Sequence, residues 1–131
     1  MEGTLIETKS LANGLSLEMY DRSRRVAGDR SLVTFTAEIE VDVKPEYFED
    51  GKPESPTYDD VKALLGDRVR YAYEGVRNFV PESEKQSVMD ELKAYFIDSN
   101  LAYVSSPQFA RRLVLRKYIQ ARNPMKAWRR I

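Results

Sequence analysis

Arg111, Arg112 and Arg116 stand one and four residues apart, a spacing that stacks positive charge along one side of a helix. Lys117, Arg122 and Lys126 prolong the basic run, and Tyr118 and Trp128 set aromatic rings among the charges. Such a ridge attracts anions, whether carboxylates on a protein, nucleic-acid phosphates or acidic lipid headgroups. Its charge is not balanced locally. Eight bases and no acid lie between Ser99 and Ile131, which leaves thirteen bases against twenty-one acids in the first 98 residues of a chain that is neutral overall. Residues Glu38 to Asp60 alone hold nine acids and two bases, so they form an internal counterpart for the ridge.

Glu38, Glu40 and Asp42 occupy every second position of an apolar-alternating stretch and so share one face of a strand. Neighbours would sit about 6.6 Å apart, near the carboxylate spacing of an inverting glycosidase. All three span about 13 Å, too far to share a Ca²⁺ whose oxygens lie at ~2.3–2.6 Å. The plain expectation is the wet side of a half-buried sheet.

The missing residue types are as informative. Without His or Cys the chain has no imidazole base, no thiol nucleophile and no disulfide, and it lacks the commonest transition-metal ligands. No Ser-x-x-Lys occurs, and no pair of glycines has the spacing of a phosphate-binding loop. Catalysis by carboxylate, lysine or tyrosine side chains stays open, but no catalytic, cofactor-binding or metal residue is assigned. The aromatic set Tyr71, Tyr73, Phe79, Tyr95, Phe96, Tyr103, Phe109, Tyr118 and Trp128 is read as core packing, with hydroxyls near water, in preference to a ligand box or base-stacking platform.

The elements that position these groups follow from periodicity. Asn13-Gly14 between Thr4–Ala12 and Leu15–Tyr20 predicts a hairpin with a two-residue turn, pairing Ala12 with Leu15 and Lys9 with Glu18. After a polar connection over 21–30, Val33, Phe35, Ala37, Ile39, Val41 and Val43 alternate with polar residues, which predicts a strand of about 13 residues that bends or outruns its partner. Pro45, Pro53, Pro56 and Asp50-Gly51 mark a loop. Thr57 and Asp60 form a capping-box pair for a helix over 57–65 ended by Gly66. Residues 67–80 fit strand or helix, and β-branched and aromatic content favours a strand over 68–79 with a bulge at Gly75. Ser83 and Gln86 open a helix over 83–98, and Ser106-Pro107 opens another over 107–121, although an extended alternative fits that stretch too. Asn123-Pro124 ends it and leaves a short basic tail.

The resulting expectation is one α+β domain over 1–131. An N-terminal antiparallel meander (4–43) and a fourth strand (68–79) are covered on one face by two or three helices. Glu2 and Glu7 stand where a secretory signal would be basic, and no apolar run approaches the ~20 residues of a membrane span, so a cytoplasmic protein is expected. The functional expectation is a non-catalytic protein-interaction or assembly module. Its candidate surface is Arg111, Arg112, Arg116, Lys117, Arg122, Lys126 and Trp128, and its partner is another protein or a second copy. Nucleic acid on the same ridge is the alternative, and a small-molecule binder or enzyme using carboxylate and tyrosine groups comes third. A membrane partner is not expected.

Overall fold

The computed structural model of the protein describes residues 3–48 and 56–122. The alternating stretch becomes a 13-residue central strand, β4 (Arg30–Asp42). Before it come β1 (Thr4–Ser10), β2 (Ser16–Asp21) and β3 (Arg24–Ala27). After it come α1 (Tyr58–Leu65), β5 (Arg68–Pro81), α2 (Lys85–Val104) and α3 (Phe109–Arg122). The fold is α+β with an antiparallel sheet: β1 pairs β2, and β4 pairs β2, β3 and β5. The two ambiguous stretches resolve as the strand β5 and the helix α3.

The connection over 21–30 is not a loop but carries β3. Asp21 faces Phe35 and Arg24 faces Leu32, the same step along each strand, so β2 and β3 are successive stretches of one edge of β4. Side chains bridge the break. The Arg22 N–H donates to the Thr34 carbonyl at 2.9 Å, while the Thr34 N–H donates to Ser23 Oγ at 3.0 Å in place of a backbone acceptor. Beyond Glu38, β4 outruns β2.

The first hairpin forms at Asn13-Gly14 but with a three-residue loop. The Leu11 N–H donates to the Leu15 carbonyl at 2.8 Å, and the pairing slips by one, setting Lys9 opposite Leu17 and Thr8 opposite Glu18. A one-residue slip exchanges the faces, so Glu7 and Lys9, rather than Ser10 and Thr8, share the side of Leu17 and Met19. Asn13 accounts for the wider loop. Its Oδ1 accepts from the Leu15 N–H at 3.1 Å, its Nδ2 donates to the carbonyls of Val104 and Ser106 at 2.9 and 3.0 Å, and Gly14 alone takes positive φ, at 90°.

Two compact units result, one from residues 1–39 and 71–106 and the other from 40–70 and 107–131. In the first, Leu17, Met19, Val33, Phe35, Ala37 and Ile39 are buried together with Met89, Leu92 and Phe96 of α2. The Phe35 and Phe96 rings lie 5.9 Å apart and Tyr73 stands 4.8 Å from Phe96. A Cβ on Gly75 would meet Leu92 Cδ2 at 3.4 Å, an ordinary van der Waals contact. Further along β5, Phe79 takes a φ of 54° just before the buried Val80. α2 begins after a single 3₁₀ turn and runs to Val104, past the expected end at 98. Ser83 and Gln86 do not cap it: Gln86 Nε2 donates to Asp90 Oδ1 at 2.9 Å, one turn along.

The second unit buries Val41, Val43, Val61, Val69, Phe109, Leu113 and Val114. α1 has the expected capping box: the Asp60 N–H donates to Thr57 Oγ1 at 3.1 Å and the Thr57 N–H to Asp60 Oδ2 at 3.5 Å. Gly66, at φ 82°, ends it. α3 starts at Phe109, two residues after Pro107, and packs against α1. The turn at Asp50-Gly51, Pro53, and the stop at Asn123-Pro124 lie outside the described residues, as does the tail. No helix among the described residues is long and apolar enough to cross a membrane.

Candidate functional site

α3 sorts its residues by helical spacing. Phe109, Ala110, Leu113 and Val114 are buried, so the opposite side must carry whatever the helix shows to water. Arg112, Arg116 and Ile119 fall at i, i+4 and i+7 and are all exposed. Arg111, Leu115, Tyr118 and Arg122 form the neighbouring stripe, of which only Arg122 is exposed and the others are half-buried. Lys117 departs from the expected surface. It lies one turn from Leu113, on the inner side of the helix, and is half-buried. Lys126 and Trp128 lie outside the described residues.

The cations of the outer side are held differently. Arg111 Nε donates to the Tyr47 carbonyl at 3.0 Å, which ties α3 to the 3₁₀ turn Pro45–Phe48 in the acidic segment, but through a neutral acceptor. Burial, with the nearby Glu46 and Asp42 charges, pushes the Tyr47 phenol above its usual value. The Arg122 guanidinium stands 5.7 Å from the centre of the Tyr118 ring. Arg112 makes no side-chain hydrogen bond or ion pair among the described residues.

Beside this stripe lies an open cavity of about 360 Å³, lined by Asp60, Ala63 and Leu64 of α1 and by Tyr118 and Arg122 of α3. Leu64 is 46% exposed and Ile119 57%, so apolar surface stands next to the cations. Sequence reasoning missed this part. The spacing of Val61, Leu64 and Leu65 signals an apolar stripe, but only Val61 of α1 is buried.

The carboxylate row is divided in a way its spacing does not reveal. Glu40 and Asp42 are exposed and both accept from Arg68, at 3.3 Å to Nη1 and 3.0 Å to Nε. Glu38 is buried instead of solvated, as are Thr34 and Thr36 of the same strand. Arg22 covers them. Its Nη2 donates to Glu38 Oε2 at 3.0 Å, its Nε donates to Thr36 Oγ1 at 3.1 Å, and its guanidinium stands 4.4 Å from the centre of the Tyr20 ring. No group of three metal-ligating side chains is found among the described residues. Of the aromatic set, Phe96 and Phe109 are core residues, whereas Phe79 and Tyr95 are more than half exposed, a correction to the core reading. Phe79 lies under Arg30, whose guanidinium stands 5.6 Å from the ring centre. No known protein family, curated protein or solved structure matches this chain.

Proposed function

We propose that the protein is a non-catalytic interaction module that presents the outer side of α3 to an acidic surface of another protein chain, a second copy included. The observation that carries this reading is the alignment of Arg112, Arg116 and Ile119 on one exposed stripe beside the cavity lined by Leu64, Tyr118 and Arg122. Protein interfaces combine an apolar centre with arginine and tyrosine, and they place charge at the rim. A phosphate backbone would use the arginines but leave Leu64 and Ile119 in water. A carboxylate-bearing protein segment uses both.

Sedimentation velocity from about 1 to 100 µM at low and raised salt, together with capture from a native lysate, tests the reading. It holds if self-association or a captured protein is weakened by salt and abolished by Arg112→Glu with Arg116→Glu. It fails if the chain stays monomeric and capture is the same for both forms. Single-stranded DNA bound with a steep salt slope that the double variant flattens would assign the surface to nucleic acid instead.

A further inference from the structure

On the first unit, the β2–β3 edge, β4 and β5 each contribute two side chains to the lining of one open cavity of about 350 Å³. Arg22 and Arg24 come from the β2–β3 edge, Leu32 and Thr34 from β4, and Glu74 and Val76 from β5. Period two dictates this grouping, because residues two apart share a face of the sheet. The volume lies in the range of small-molecule sites, ~300–1000 Å³. Arg22 is a fixed wall, its fork directed at Thr36 and Glu38 and its plane near Tyr20. Arg24 and Glu74 differ from it. Both are exposed, both line the same cavity with opposite charges, and neither side chain makes a hydrogen bond or ion pair with any described residue, including the other. In the same lining Val76 is 43% exposed and Leu32 is half-buried.

A cation and an anion left unpaired across an aliphatic floor complement a ligand that carries both charges and an apolar arm. We propose that this groove binds a free aliphatic α-amino acid. Arg24 takes the carboxylate in its planar fork, Glu74 accepts from the ammonium, and the side chain lies on Leu32 and Val76. A dicarboxylate would be repelled by Glu74 and a simple amine by Arg24. Recognition therefore requires both charges on one small molecule.

The test is a titration of the full chain with L-leucine, followed through backbone amide shifts by ¹⁵N NMR. The expected result is saturable shifts confined to residues 22–24, 32–34 and 74–76. Leucinamide, 4-methylpentanoate and glycine, which lack the carboxylate, the ammonium and the arm respectively, should each bind at least about tenfold more weakly. Arg24→Ala and Glu74→Gln, both at exposed positions and expected to fold normally, should each weaken leucine by about tenfold. No saturable shift at these amides up to about 20 mM, binding of any of the three analogues as tight as that of leucine, or indifference to either substitution would overturn the proposal. None of these outcomes depends on the α3 surface.

Discussion

Arg22 engages three other side chains of the first unit, Thr36, Glu38 and Tyr20. Glu38 is 8% exposed, and a carboxylate so placed keeps its charge at low cost only while a cation and hydrogen bonds accompany it. Arg22→Ala is therefore expected to lower stability by about 2–4 kcal/mol, read as a fall in the urea midpoint, because it strands Glu38 without its cation. Arg22→Lys should recover only part of this, since one ammonium cannot reproduce the fork that meets Thr36 and Glu38 together. Equal stability of the alanine and native forms would show that solvent replaces the guanidinium without loss. The alternation of Glu38, Glu40 and Asp42 was legible in the sequence as one face of a strand. That Arg22 would fold over the first of them was not, because the pair is sixteen residues apart and depends on the register of β2 against β4.

At the scale of elements, caps and periods carried most of the information. Thr57, Asp60 and Gly66 bound α1 as their types require, and the apolar spacing of β4 and α2 matches the sides they bury. The hairpin error falls where a side chain was engaged by something distant. Asn13 was expected to serve a local turn, yet it also holds the end of α2 through two carbonyls ninety-one and ninety-three positions away. Asn13→Ala should cost about 1–3 kcal/mol, because both carbonyls and the Leu15 N–H lose a partner. Amide exchange should then accelerate at the last turn of α2 ahead of β4, and uniform acceleration would indicate that Asn13 acts only on global stability. Ser83 and Gln86 fit a capping pattern, but Gln86 finds Asp90 within its own helix.

For the molecule as a whole, opposite charges are spread so that pH acts at both extremes. Glu7 is held below its ordinary value of 4.5, first by the hydrogen bond from Lys93, at 2.6 Å, and then by the charge of that lysine. A lowered carboxylate contributes stability that is fully present above 4.5 and is lost as pH falls through the lowered value. Urea midpoints measured between neutral and acid pH should therefore fall less steeply below 4.5 in Glu7→Gln than in the native chain, and parallel curves would exclude Glu7 as a source of the acid response. At the alkaline end, Tyr20 is raised by burial and by Glu18, and Lys62 by the charges of Tyr58 and Asp67. Both shifts have the sign that removes stability as pH rises through the folded-state values. The sequence by itself determined the α+β class, the central strand, the α1 cap and the segregation of charge, because each is a property of residue type and near spacing. Only the tertiary structure decided the hairpin register, the burial of Glu38 and the inward side of Lys117. It also placed Leu64 beside Tyr118, and Arg24 beside the same cavity as Glu74. Each of these depends on which distant strand or helix comes alongside, and that is fixed by packing the whole apolar set at once.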